Sequence, residues 1–138
     1  MIAARLEFAI RPYDVDVAGI VSNIVYVRWL EDLRMELLRS HFRVGELLER
    51  NLMPVLVRTE INYRASLRFT DECTGRMTVV EVGRTSATMH ATFHNADDAI
   101  VAEAKQVGVF IDSRTGKPVP LPGEFLALYR KAEPGDEV

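Results

Sequence analysis

Two acidic residues, Asp14 and Asp16, stand just before Gly19 and the pair Ser22-Asn23 in the stretch Tyr13 to Asn23. Beyond Asn23 the apolar residues recur with helical spacing, so the two carboxylates belong to a loop that feeds a helix start. The first N–H groups of a helix have no acceptor within it and carry partial positive charge. Such donors polarise a carbonyl oxygen as negative charge develops on it. A carboxylate beside them attacks the carbonyl carbon or activates a water. Gly19 lets the backbone come close to a ligand. The same residues also suit a polar loop whose aspartates cap turns, and the pattern alone leaves both readings open.

The remaining chemistry-bearing residues point to less. His41, His90 and His94 lack the spacing of metal ligands on a helix. On an extended strand His90 and His94 share a face about 13 Å apart, which fits solvent-facing residues. No Gly-x-Ser-x-Gly elbow supports a serine nucleophile, and the scattered glycines form no nucleotide-binding motif. Cys73 is the single cysteine, so an internal disulfide and a cysteine zinc cluster are both excluded.

The elements that must position these groups follow from periodicity. Leu6, Phe8 and Ile10 alternate with Arg5, Glu7 and Ala9 as in a half-buried strand. A helix is expected from Asn23 to about Arg39, with Tyr26, Trp29, Leu30, Leu33 and Leu37 on one stripe that Val25, Val27, Met35 and Leu38 widen. Asn23 is the preferred cap over Ser22, because Ile24 opens the apolar period. A short helix over Val44 to Leu52 precedes a strand in which Val55, Val57, Thr59, Ile61 and Tyr63 share a face. Strands follow over Gly75 to Val82, Ala87 to His94 and Ile100 to Asp112, then a short helix over Glu124 to Arg130 and a charged tail, 131–138, expected to fray. This order predicts one α+β domain over 1–138, an antiparallel sheet of about five strands curled around one long helix. Long strands with a polar second face predict edges that pair with another subunit.

Composition narrows the partners. The 138 residues are 48% apolar and 27% charged, with a net charge of −3, which argues against a general nucleic-acid or anionic-membrane binder. Only three of the 17 basic residues are lysines, leaving fourteen arginines, whose planar fork holds phosphates and carboxylates. A phosphate site must therefore be local. With no apolar run long enough for a membrane span and a charge at Arg5, a cytoplasmic location is expected.

The run Asp14 to Val21, followed by Asn23, Tyr26, Trp29, Leu30 and Glu31, resembles the signature of the hotdog-fold acyl-CoA thioesterases. It is similar in particular to the 4-hydroxybenzoyl-CoA thioesterase branch with its YbgC-like members, and also to the acyl-ACP thioesterase pattern. The resemblance continues through Val57 to Tyr63, Gly83 to Ser86, Val109 to Asp112 and Thr115 to Pro122. It implies a homodimer or homotetramer with active sites at the interface, an acyl-CoA or acyl-ACP thioester as substrate, and no metal or redox cofactor. It also implies Asp16 as the catalytic carboxylate, nucleophile or general base, the backbone N–H of Asn23 as the group that polarises the thioester carbonyl, and Gly83, Arg84 and Ser86 as the turn that holds CoA phosphates. Tyr26 and Trp29 are expected in the core or the wall of the acyl pocket. Many relatives carry Tyr-His, Tyr-Pro or Asn-Asn where this chain has Ser22-Asn23, so the implied role there belongs to the backbone. Two alternatives stand beside hydrolysis: a module that binds acyl-CoA without turning it over, and a hydratase or dehydratase of enoyl-thioesters. The second pairs an Asp with a His in this loop, and no His lies between Asp14 and Trp29.

Overall fold

The computed structural model describes residues 2–131. Strand β1 (Ala3–Phe8) leads through a 3-10 turn (Pro12–Asp14) to helix α1 (Asn23–His41) and the short α2 (Val44–Glu49). Four strands follow, β2 (Leu52–Tyr63), β3 (Cys73–Val82), β4 (Ser86–His94) and β5 (Ile100–Asp112), then α3 (Gly123–Lys131). All strands join one antiparallel sheet in the order β1-β3-β4-β5-β2, so β2 and β1 are its edges. The α+β class and the five antiparallel strands are as expected. No described helix is long and apolar enough to cross a membrane.

The apolar stripe of α1 is what ties helix to sheet. Tyr26, Trp29, Leu30, Leu33 and Leu37 are all buried, with Leu30 and Leu33 fully so. Burying a side chain of this size contributes roughly 1.5–3 kcal/mol. Trp29 stacks on Phe8 of β1 at a centroid distance of 4.8 Å, and Tyr26 meets Phe93 of β4 edge-on at 5.4 Å. Gly75 on β3 lies beneath this cluster because a Cβ there would come within 2.6 Å of Phe8 Cε2 and 3.1 Å of Leu33 Cδ1. Farther along α1, Gln106 of β5 is buried with both ends of its amide bonded. Its Oε1 accepts from Arg34 at 3.0 Å and its Nε2 donates to Thr59 Oγ1 of β2 at 3.1 Å. Arg34 also pairs with Glu31.

Several expectations change. Of the residues expected to widen the stripe, Val25 is buried and Met35 and Leu38 are half-buried, whereas Val27 is 40% exposed. Ser22, in extended conformation, is the cap residue, and Asn23 is the first residue of the helix. Helix α2 stops at Glu49; Asn51 takes a positive φ of 60° and Leu52 already pairs with Asp112. In β2 a bulge between Leu56 and Arg58 makes Val57 an extra residue. One extra residue reverses the alternation, so Leu56 shares the inner face with Thr59, Ile61 and Tyr63, and Val57 is exposed. The β4–β5 ladder slips where Phe93 pairs with Ala102 but His94 with Ile100. His94 keeps the same sheet face as Thr92 and His90, in unbroken register with β3, but it is buried, its Nε2 2.8 Å from Thr92 Oγ1 and its Nδ1 3.3 Å from the carboxylate of Asp98. Lys131 closes α3, and the remainder of the expected charged tail lies outside the described residues.

Gly75→Ala must displace Phe8 or Leu33, and we expect it to lower the unfolding free energy by about 1–3 kcal/mol, read as a lower denaturant midpoint at unchanged m-value. Burial also pushes the Cys73 thiol up to about 12. Since the thiolate is the reactive form, the native protein should leave an aromatic disulfide reagent unconsumed at pH 8 and react with one equivalent after denaturation.

Candidate active site

The loop that carries the two aspartates is a closed backbone structure. Val15 bridges Val21, the N–H of Asp16 donates to the carbonyl of Ile20 at 2.9 Å, and the N–H of Gly19 donates to the carbonyl of Asp16 at 3.0 Å. The chain reverses at Gly19, whose φ of +76° is strained for any residue with a Cβ. The far side of the loop is tied to the segment after β2, through the bridge of Ile20 to Arg68 and the bond from Val21 N–H to the carbonyl of Leu67 at 2.7 Å.

The two carboxylates differ in surroundings. Asp14 is buried, and its Oδ2 accepts the N–H of Arg11 at 2.8 Å while its carbonyl accepts the N–H of Ser22 at 2.8 Å. Asp14 therefore fixes where the chain enters α1. Asp16 is exposed, and its Oδ1 accepts the N–H of Ala18 at 2.8 Å and of Ile20 at 3.5 Å. Those bonds hold one carboxylate oxygen against the loop and leave Oδ2 without a partner among the described residues.

The start of α1 is open. Ser22 makes no side-chain cap bond, and no acidic residue lies in the first turn. The bond of Val25 N–H to the carbonyl of Ser22 at 2.9 Å uses the third donor, so the N–H groups of Asn23 and Ile24 have no intrahelical acceptor. Next to them lies a cavity of about 260 Å³ lined by Ile20, Val21, Asn23, Tyr26, Tyr63, Arg64, Ala65 and Ser66. Tyr63 donates its hydroxyl to the carbonyl of Asn23 at 3.2 Å and packs edge-on against Tyr26 at 5.5 Å. Burial raises the Tyr26 phenol to about 12, so it stays protonated. Trp29 is buried against Phe8 and meets Tyr26 edge-on at 5.3 Å. Spacing and composition do not distinguish Tyr63 from other alternating strand residues; only the packing of β2 against the helix start does.

Gly83, Arg84 and Ser86 form the β3–β4 connection, closed by the bond of Gly83 N–H to the carbonyl of Ser86 at 2.8 Å. A Cβ at Gly83 would sit 2.8 Å from Ser86 Oγ, so a larger residue there would turn the serine hydroxyl away. The Arg84 carbonyl accepts the N–H of Leu121 at 3.0 Å, and its exposed guanidinium has no carboxylate partner among the described residues. This turn is not brought to Asp16 within the chain. Tyr63, beside the helix start, pairs with Ala102 on β5, whereas Ser86 pairs with Val109. Seven residues of strand separate the two, about 23 Å along the sheet.

A second cavity, about 170 Å³ and mainly apolar, lies between the C-terminal half of α1 and the sheet, with Met35, Leu38, Leu56, Met89, Phe110 and Phe125 in its wall. Among the described residues no three His, Cys, Asp or Glu side chains gather as metal ligands would.

Residues 10–128 match the family model of the Thioesterase-like superfamily. The acyl-CoA thioester hydrolase YbgC of Escherichia coli O6:H1 is 27% identical over 119 residues, which cover 86% of this chain and 89% of that protein. A DHNA-CoA thioesterase from Staphylococcus aureus superposes with a TM-score of 0.87 at 16% identity, over 100% of this chain and 98% of the other. YbaW, a probable thioesterase from Escherichia coli, superposes with a TM-score of 0.83 at 25% identity, over 93% and 97% of the two chains.

Proposed function

The chain belongs to the thioesterase-like superfamily and is a thioester hydrolase, and on that premise we propose that it hydrolyses an acyl- or aroyl-CoA thioester with Asp16 as nucleophile or general base. The observation that carries this reading is the uncapped start of α1 beside the loop of Asp16, opening on a cavity of about 260 Å³. In the proposed reaction the thioester carbonyl docks against the free N–H groups of Asn23 and Ile24. Negative charge then develops on an oxygen that faces two donors and the positive end of a helix dipole. The carboxylate of Asp16, held through Oδ1, presents Oδ2 to the carbonyl carbon or to a water. In the first case a mixed anhydride forms as CoA thiolate leaves, and water then cleaves it. In the second, Asp16 takes a proton as water adds and CoA thiolate leaves. Either route yields free acid and CoA, and the CoA thioester is the substrate with no added cofactor.

The same proposal includes the assembly. One chain, read as a single domain over 1–138, separates the Asp16 loop from the Gly83–Arg84–Ser86 turn by the length of the sheet. Strand β2 is a twelve-residue edge with Val57, Arg58, Thr59 and Glu60 exposed. Pairing two copies antiparallel along β2 about a two-fold axis reverses the partner's strands and brings its turn to the Asp16 end. A CoA ester would then reach carbonyl dock and phosphate turn across two chains, in a homodimer or in a homotetramer built from it. Tyr26 forms the wall of the acyl site, packed against Trp29, and Gly19 gives the loop its close approach. A cytoplasmic location and an acyl-ACP substrate are compatible variants of this reading.

Asp16→Asn removes the nucleophile or base but keeps the size of the side chain. It should lower kcat for CoA release by about 10²–10⁴-fold in a free-thiol assay while CoA ester still binds; near-normal turnover would sink the assignment. Arg84→Ala should raise KM for CoA esters by about tenfold and leave a short thioester without the nucleotide unaffected, whereas equal effects on both would count against a phosphate contact.

A further inference from the structure

We infer that Tyr63 is a positioning residue for hydrolysis, acting through the peptide group that joins Asn23 to Ile24. The inference rests on the reading of the α1 start as the dock for the thioester carbonyl. That peptide group has two ends. Its oxygen, on Asn23, accepts the Tyr63 hydroxyl at 3.2 Å; its N–H, on Ile24, is one of the two uncapped donors at the helix start.

Neither partner needs this bond for its own satisfaction. The Asn23 carbonyl is positioned to accept the N–H of Val27 in the ordinary helical pattern. Tyr63 is 43% exposed, so its hydroxyl would otherwise be met by water. The bond thus adds little to folding, yet it sits one peptide unit from the proposed reaction centre. A hydrogen bond accepted by a peptide oxygen polarises the unit and strengthens the N–H at its other end. It also restrains the first turn of α1, where the absence of a side-chain cap leaves the helix free to fray. The Tyr63 ring is held for this task by its edge-on contact with Tyr26 and by strand pairing of Tyr63 with Ala102. Tyr63, Asn23 and Tyr26 share the wall of one cavity, so the hydroxyl lies at the bound acyl group's side of the helix start. Strand β2 thereby connects the free sheet edge to the carbonyl dock.

The test is steady-state thiol release by Tyr63→Phe, which removes the hydroxyl and keeps the ring. A neutral hydrogen bond of ordinary strength corresponds to about a fivefold fall in kcat. We expect that fall with KM for the CoA ester within about twofold of wild type and the midpoint of thermal unfolding within about 2 °C. The loss should be equal on a CoA ester and on a short thioester without the nucleotide, because the carbonyl is common to both. Tyr63→Leu, which also removes the ring, should show at least the same kcat loss with a lower unfolding midpoint. Wild-type kcat in Tyr63→Phe, a change confined to KM, or a kcat loss that comes only with a large drop in the unfolding midpoint would each overturn the role. Asp16→Asn in the same assay separates the two inferences. Full turnover in Asp16→Asn removes the site reading itself, whereas an inactive Asp16→Asn beside a wild-type Tyr63→Phe removes Tyr63 alone.

Discussion

The burial of one face of α1 is the constraint on which the rest of the structure depends. A helix of 19 residues has its Tyr26, Trp29, Leu30, Leu33 and Leu37 sealed from water by strands that come from both ends of the chain. Phe8 lies on the first strand and Phe93 on the fourth, and both meet Trp29. The aromatic cluster is concentrated at the N-terminal half of the helix. That placement anchors the part of α1 whose first N–H groups are left without a cap, so rigidity comes from the packed side chains below and not from the terminus itself. An uncapped terminus forgoes roughly 1 kcal/mol of local stability. The core beneath it supplies far more, and the open donors remain available to a ligand.

Polar contacts divide by position along the same helix. Near its start, Asp14 fixes the entry of the chain and Tyr63 reaches the carbonyl of Asn23. Toward its second half, buried Gln106 is bonded on one side to Arg34 and on the other to Thr59. A buried amide with both ends satisfied disfavours any slip between α1, β5 and β2, since a slip would strand it without partners. The bulge at Val57 belongs to the same arrangement: without it Thr59 and Tyr63 would face away from the helix. One inserted residue thus decides whether Gln106 is satisfied and whether Tyr63 touches the site. The bulge also turns Val57 outward on the edge strand, beside Arg58 and Glu60.

Residue order by itself determined the α+β class, the strand succession and the long amphipathic helix, because periods of two and of 3.6 are written in apolar spacing. It also singled out the Asp16 loop and the helix start, since those depend on residues adjacent in the chain. The outcomes that differed were the bulge at Val57, the burial of His94, the cap at Ser22 and the early stop of α2. Pairing with β5 sets the bulge and the end of α2, while a backbone bond to Asp14 holds Ser22 and Asp98 lies against His94; apolar spacing carries no record of these contacts. Tertiary structure alone decided that Tyr63 reaches Asn23, that Gln106 is buried, and that Arg84 lies a sheet's length from Asp16. The physical reason is shared. Proximity along the chain can be read from spacing, whereas contact across a sheet depends on register, which the packing of many side chains settles together.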